Sequence, residues 1–411
     1  MHRFGLLLAR LSLILAAHTS PASDLPTVTL GTNAVSAYST DRKPRQSQGV
    51  VSQVDCIFSH LPYQLELHYQ PWRRVQQEVS NGRLAGFFTA MPDPQFERYA
   101  QLSDPLILQK WHWFTRADFP LAEDPRTMRT GAILGSHQQL WLDMNNVEHY
   151  LAVQDLPQLI KLLFAGRIDA VLADREHFDR AANELGVEPV RYRSRFFQYV
   201  PLGVYFGQHF LEEHSDFLAL FNRYIHACVP QSFALSSEEQ TVIKQLLQSY
   251  IDDWSSHSML LERLAIRELE PAKTAEEIQR LDTLWREAYQ RKYTHRLNAM
   301  LDDGLSGLML LWKSEHPVLT ELIAIDRQGL NLAAVPYTSD YWQGDEAKYQ
   351  QAYFLSPGSW FFDEVVYDHS TRRFQTQVSV PIDSADGRRL GVLTLGVDIE
   401  KALKAGAGNE P

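Results

Sequence analysis

The side chains that commonly perform catalysis are present in this chain, but not at the spacing of a known catalytic motif. The sequence contains no His-Glu-x-x-His segment, no phosphate-binding glycine loop and no nucleophile elbow followed by triad partners. Its 15 histidines are scattered, and Glu212-Glu213-His214 is better explained as a helix surface than as a metal site. The residues therefore predict a protein that binds rather than catalyses, with no metal and no cofactor.

Ser136 lies where a predicted strand runs into a predicted helix, directly after Leu134-Gly135. Serine is a preferred helix cap. Its hydroxyl and the free backbone N–H groups of the helix could also bind a carboxylate together. Ser136 is thus a candidate ligand-binding residue, and an ordinary cap is the alternative; both can be true.

Predicted strands and helices alternate over the first half of the chain, which indicates α/β units with a mainly parallel sheet. Two such units follow each other, so we expect two lobes. The predicted strands are 27–31, 63–67, 130–135 and 168–172, and the predicted helices are 50–61, 72–81 and 156–164. Segments 110–114 and 200–205 would be the two strands that cross between the lobes.

The pattern changes near Pro230. Ser236 and Glu239 form a capping box, followed by apolar residues at helical spacing, and Thr274 opens another helix in the same way. After Leu301 the pattern indicates short strands and turns, at 321–325, 376–381 and 390–397. The second half therefore predicts an α+β domain of helices followed by an antiparallel sheet.

Residues 24–229 resemble the periplasmic solute-binding proteins of family 3, which include receptors for polar amino acids. The resemblance implies a bilobed α/β periplasmic-binding-protein fold of type II, with lobe 1 at about 23–112 and 203–232 and lobe 2 at about 113–202. It rests on Val28-Thr29-Leu30-Gly31-Thr32, Pro71-Trp72, Glu97-Arg98, Ser103-Asp104-Pro105-Leu106, Gly135-Ser136 and the segment 165–174.

The resemblance also implies ligand contacts. Arg98 holds the place of an arginine that binds a ligand carboxylate, as a guanidinium does through two parallel bonds. Asp174 holds the place that accepts a ligand ammonium, and Tyr38 and Trp72 hold the places of aromatic side chains over the ligand. The alternatives are a surface ion pair for Arg98, a helix cap for Asp174 and packing between the lobes for the two aromatic residues.

Residues 237–406 resemble the Cache, or PDC-like, extracytoplasmic sensor domains. The resemblance rests on the segments 321–331, 339–348, 377–382 and 391–398. It implies a long N-terminal helix packed on a curved antiparallel sheet, with a ligand pocket between the sheet and its covering loops. Tyr341, Trp342 and Lys348 are the candidates for the pocket wall; two core aromatic residues beside a solvated lysine are the alternative.

The N-terminus has the features of an export signal. Arg3 precedes an apolar stretch, and Ser20-Pro21-Ala22 offers a cleavage site, so we expect residues 1–22 to be removed. A membrane anchor is the alternative, but the stretch is short and contains Arg10. The formal net charge of −11 argues against nucleic acid or an anionic membrane surface as partner. Cys56 and Cys228 could form a disulfide or remain buried thiols, and the sequence does not decide.

These features predict a periplasmic protein that binds a small molecule, with amino-acid-like compounds as candidates, and relays its state to a membrane partner. No later apolar run is long enough to cross a bilayer, so a receptor in the membrane would have to carry the signal. The alternative is the binding component of an ABC importer, although import needs only the first domain. A peptidoglycan-acting enzyme with a binding-protein domain is a third possibility, and it would need a helical domain with a catalytic glutamate.

Overall fold

A computed structural model describes residues 25–32, 45–120, 122, 124–147, 150–229, 233–368 and 373–407. The predicted export signal and Tyr38 lie outside the described residues. Within the described ranges, no helix combines the length and the apolar character that crossing a membrane requires.

Up to Cys228 strands and helices alternate in two stretches, which are separated by a run of consecutive strands. The elements are β1 (Thr27–Thr32), α1 (Arg45–Ser59), β2 (Gln64–Tyr69), α2 (Trp72–Ser80), β3 (Gly86–Ala90), β4 (Ala100–Leu102), β5 (Ile107–Arg116), β6 (Thr130–Ile133), α3 (His137–Met144), β7 (Tyr150–Val153), α4 (Leu156–Phe164), β8 (Ala170–Asp174), α5 (Arg175–Glu184), β9 (Tyr192–Gly207), α6 (Gln208–Glu213) and α7 (Phe217–Cys228).

Two sets of parallel strands flank a central antiparallel pair, and this arrangement gives the two lobes. The strand order is β2-β1-β3-β9-β5-β8-β6-β7, with β4 also on β9. Strand β1 pairs in parallel with β2 and β3 in the first lobe, and β6 pairs in parallel with β7 and β8 in the second. The long strands β5 and β9 pair with each other and connect the two sets. The crossing strands predicted at 110–114 and 200–205 are parts of these two strands.

Local sequence explains where the helices begin and end. Asp155 caps α4 by accepting a hydrogen bond from the backbone of Gln158, and the helix buries the apolar face predicted for 156–164. Helix α2 ends before Gly82, whose φ of 70° is a conformation that glycine adopts at little cost.

A disulfide joins Cys56 of α1 to Cys228 of α7 and settles the question that the sequence left open. His60 lies beside it, with its Nδ1 atom 4.0 Å from the Cys228 sulfur and its ring stacked on Tyr224. Among the described residues, these two cysteines and His60 form the one group of three potential metal ligands in close proximity, and the disulfide engages both sulfur atoms.

The second part of the chain is an α+β unit. Its elements are α8 (Ser237–Ser255), α9 (Ser258–Leu269), α10 (Ala275–Gln290), α11 (Thr294–Asn298), α12 (Asp303–Glu315), β10 (Leu319–Asp326), β11 (Asn331–Val335), α13 (Ala347–Tyr353), β12 (Phe361–Phe362), β13 (Val366–Asp368), β14 (Arg373–Asp383), β15 (Arg389–Asp398) and α14 (Ile399–Ala407).

The sheet of this unit is antiparallel, as the sequence predicted, with the order β11-β10-β15-β14-β12 and β13 on β14. The predicted capping boxes at Ser236 and Thr274 are both present. Apolar side chains of α8, α9 and α12 form one buried cluster with the strands, and this cluster continues into the first lobe.

The prediction of short strands and turns after Leu301 is wrong for residues 303–315, although the predicted strand at 321–325 lies within β10. Asp302 caps a helix, α12, by accepting a hydrogen bond from the backbone of Leu305. Leu305, Met309 and Trp312 are buried at helical spacing, so the apolar run at 308–312 is part of an amphipathic helix. The first strand of the sheet begins only at Leu319.

Candidate functional site

Ser136 and Asp174 both begin a helix at the carboxyl end of a strand in the second lobe. The Ser136 hydroxyl accepts a hydrogen bond from the backbone of Gln139 at 3.1 Å, and the Asp174 carboxylate accepts one from the backbone of His177 at 3.2 Å. Both residues are buried. Because β6 and β8 are parallel, the two caps lie at the same edge of the sheet, where open α/β sheets commonly bind ligands.

Asp174 is held as a buried anion. Its Oδ2 atom accepts a hydrogen bond from the backbone N–H of Lys110 at 2.8 Å, and its Oδ1 atom lies 2.9 Å from the ring Nδ1 of His177. Burial by itself raises the pKa of the Asp174 carboxyl, but the His177 contacts and the Lys110 amide together lower it below its usual value. A negative charge therefore stands beside a crossing strand.

The two lobes touch at His137, the first residue of α3. Its Nε2 atom lies 3.2 Å from the carbonyl oxygen of Thr89, at the end of β3 in the first lobe. Met91, just after β3, also contacts the second lobe, by packing against its apolar side chains. The carboxyl ends of β3 and β6 therefore face each other. Sequence reasoning identified the preceding cap, Ser136, but not His137.

The other predicted ligand contacts lie in the first lobe or outside the described residues. Arg98 is exposed on the turn between β3 and β4. Within the described part of the chain, no contact joins it to Ser136 or Asp174. Trp72 opens α2 and packs edge-on against Phe87, with a ring separation of 5.4 Å, in the core of the first lobe. Their roles in binding, like that of Tyr38, stay predictions.

The three residues proposed for a second pocket are engaged in contacts within the α+β unit. The Tyr341 hydroxyl lies 2.9 Å from Nη2 of Arg267, and the Trp342 indole donates to the carbonyl of Gln328 at 3.0 Å. Lys348 is buried and forms an ion pair of 2.6 Å with Glu346. A pocket at these residues stays a prediction.

Lys110 and Tyr199 connect the crossing strands to the second unit. The Lys110 ammonium lies 2.6 Å from Oε2 of Glu239, and the Tyr199 hydroxyl donates to Oε1 of the same residue at 2.7 Å. Glu239 is the fourth residue of the capping box that begins at Ser236. The capping box located Glu239 at a helix start. No sequence signal paired it with Tyr199 or Lys110, which lie 40 and 129 positions away.

The charges at this contact fix the direction of its hydrogen bonds. Burial raises the pKa of Glu239, but the Lys110 ammonium and the Tyr199 hydroxyl lower it by more, so the carboxylate stays ionised. Burial and the neighbouring Glu239 charge raise the pKa of Tyr199 well above its usual value. Tyr199 therefore donates and Glu239 accepts.

No protein-family model matches this chain, and no curated protein matches its sequence. A histidine kinase sensor domain described as similar to periplasmic binding proteins has 15% sequence identity and a TM-score of 0.39, over 50% of this chain and 90% of that chain. The ancestral amino-acid-binding protein AncCDT-1, a precursor of cyclohexadienyl dehydratase, has 14% identity and a TM-score of 0.37, over 49% and 88%.

The arginine-, lysine-, histidine-binding protein ArtJ of Geobacillus stearothermophilus is similar to the same extent, with 13% identity and a TM-score of 0.37 over 49% of this chain and 88% of that chain. At these identities and TM-scores, none of the three structures transfers a ligand or a partner to this chain.

Proposed function

We propose that this chain is a periplasmic binding protein for a small, amino-acid-like molecule, and that it relays its ligand state to a membrane partner. One observation carries the proposal. Two buried helix starts, at Ser136 and Asp174, lie at the same edge of the second-lobe sheet, and the helix that follows Ser136 touches the first lobe at His137. A helix N-terminus suits a carboxylate and a buried aspartate suits an ammonium, so the pair fits a zwitterion.

The disulfide supports the proposed location. Bridges such as Cys56–Cys228 form and persist in oxidising compartments, among them the periplasm. The residues at 1–22 have the composition of an export signal, which agrees with this location. The proposal includes no catalytic step.

The α+β unit is what favours a relay over import. An importer's binding component needs only the two lobes, whereas here the crossing strands are bonded to α8 through Glu239. We infer that the second unit has the role of a Cache-like sensor module, which the antiparallel sheet under a long helix supports.

The ligand is tested by thermal denaturation of the protein, without residues 1–22, against amino acids, polyamines and small carboxylates. A true ligand at a hundredfold excess over its Kd should add about 2.7 kcal/mol to the free energy of unfolding. We expect Ser136→Ala and Asp174→Ala to abolish the ligand-dependent gain. Asp302→Ala, which removes the cap of α12, should lower stability and keep the gain. A gain that survives both lobe substitutions would place the ligand elsewhere.

The partner is tested by crosslinking in spheroplasts. Recovery of a membrane receptor with a cytoplasmic signalling domain supports the relay. Recovery of a permease and its ATPase would replace the relay by import.

A further inference from the structure

One carboxylate of α8 holds both crossing strands. Lys110 of β5 and Tyr199 of β9 are directly opposite each other in the antiparallel pair. Their side chains end on the two oxygens of Glu239, at 2.6 and 2.7 Å, and the backbone N–H of Ser236 donates to the same carboxylate at 2.7 Å. Glu239 is 8% exposed and Tyr199 is 3% exposed, so the bond between them is shielded from water.

Tyr199 is attached to the second unit in two further ways. Its backbone N–H donates to the Glu400 carboxylate of α14 at 2.7 Å. Its ring lies 5.4 Å from the ring of Phe374 on β14. Helices α14 and α8 are themselves in close contact, because a Cβ atom added at Gly406 would stand 2.2 Å from a methyl carbon of Val242. The crossing strands therefore rest on both helices.

Lys110 links this contact to the candidate ligand site. Its backbone N–H donates to Asp174, and its ammonium binds Glu239. A displacement of Asp174 relative to β5 thus acts on the same residue that holds α8.

We propose that Lys110, Tyr199, Glu239 and Glu400, here called the hinge clamp, transmit the opening and closing of the lobes to α8 and α14. Closure of two lobes rotates them about the strands that connect them. Lys110 and Tyr199 sit on those strands, and their partners Glu239 and Glu400 sit on the two helices. Rotation therefore displaces α8 and α14 or strains these charge-assisted bonds. The inference rests on the proposed function, since it supplies the route by which ligand state reaches the second unit.

The test opens the lobes without any ligand. His137→Trp places a larger ring at the contact with Thr89 and should separate the lobes. Hydrogen exchange of the full chain is followed by mass spectrometry. Exchange at 89–93 and 136–140 reports the opening of the lobes, and exchange at 237–242 and 399–406 reports the response of α8 and α14. We expect the substitution to speed exchange several-fold at both places.

The clamp is then removed by Glu239→Gln, which keeps a residue suited to the capping box. In this background His137→Trp should still speed exchange between the lobes but add nothing in α8 and α14. Glu238→Gln is the matched control, since Glu238 is the neighbouring residue and its ion pair with Arg175 is on the surface. The control should respond as the unsubstituted chain does.

Two results would overturn the inference. If exchange in α8 and α14 did not change when the lobes open, the two units would be uncoupled. If it rose as much in the Glu239→Gln background as in the unsubstituted chain, the coupling would run through contacts other than the hinge clamp. If His137→Trp does not fold or leaves the lobes closed, Met91→Lys, at a buried position between the lobes, replaces it. The measurement uses no ligand, so a failure of the ligand screen and a failure of the clamp are separate outcomes.

Discussion

His112 lies on β5 two residues after Lys110, with its ring close to those of Phe196 and Phe114, at 5.4 and 6.0 Å. Burial lowers its pKa to about 4, although the hydrogen bond between its Nδ1 atom and the Lys110 carbonyl acts in the opposite direction. The imidazole is therefore neutral in the folded protein at neutral pH. A proton on this ring would place a charge in an apolar part of the crossing strands.

This residue makes stability depend on pH. Between pH 6.5 and about 4 the unfolded chain binds a proton at His112 that the folded protein does not, so the free energy of unfolding falls as the pH falls. The contribution of one residue reaches about 1.4 kcal/mol per pH unit. His112→Asn should remove this part of the slope in urea unfolding measured from pH 7 to pH 4.5. An equally steep slope in the variant would show that other groups cause it.

At the scale of single residues, local roles were predictable and distant partners were not. Ser136 and Asp174 were identified as possible caps because capping depends on neighbouring residues, and both do cap helices. The bonds from Asp174 to Lys110 and from Glu239 to Tyr199 join residues 64 and 40 positions apart. Only the complete fold brings such pairs together.

Two helix glycines give a prediction at the scale of elements. Gly307 is exposed in the middle of α12, and a Cβ atom there would meet nothing within 4 Å. Gly307→Ala should therefore raise the free energy of unfolding by about 0.5–1 kcal/mol, because alanine favours the helix and restricts the unfolded chain. Chemical denaturation measures the change.

Gly406 is the matched contrast in α14. There the same substitution would bring a Cβ atom within 2.2 Å of Val242 on α8, so Gly406→Ala should lower stability by forcing the helices apart. Equal effects of the two substitutions would mean that helix propensity alone decides both, and that α8 and α14 do not pack as closely as described.

Periodicity predicted many of the helices and strands but not α12, where one pattern fits two structures. The helix predicted at 156–164 has the bounds of α4, since its cap and apolar face agree. The run at 308–312 is apolar on consecutive positions, which fits a strand as well as a buried helix. Asp302 was the available signal for a helix there, because it stands at the cap position of α12.

The disulfide gives a prediction for the whole molecule. It joins residues 172 positions apart and closes a loop that contains the entire second lobe. Replacing both Cys56 and Cys228 by serine should lower the free energy of unfolding by about 2–5 kcal/mol, since the unfolded chain is no longer constrained. A thiol reductant should produce a similar loss in the unsubstituted protein and none in the double variant. A reductant effect on the double variant would have another cause.

The organisation of the whole chain followed from its order of elements. Alternating strands and helices predicted two α/β lobes, and helices followed by strands predicted the α+β unit; both are present. The way in which the units meet was not predictable. The contact depends on two crossing strands, one capping box and the start of α14, which lie far apart in the sequence.

The pairing of strands β5 and β9 makes the second lobe replaceable as a unit. Ile107 and Leu202 are opposite each other, so the chain leaves for the second lobe and returns from it at neighbouring points. The second lobe is therefore a single insertion between two paired strand ends, and exchange of such insertions is tolerated best when their ends are close. A lobe with a different recognition surface could be grafted at this position, while the first lobe and the α+β unit keep their own chain connections.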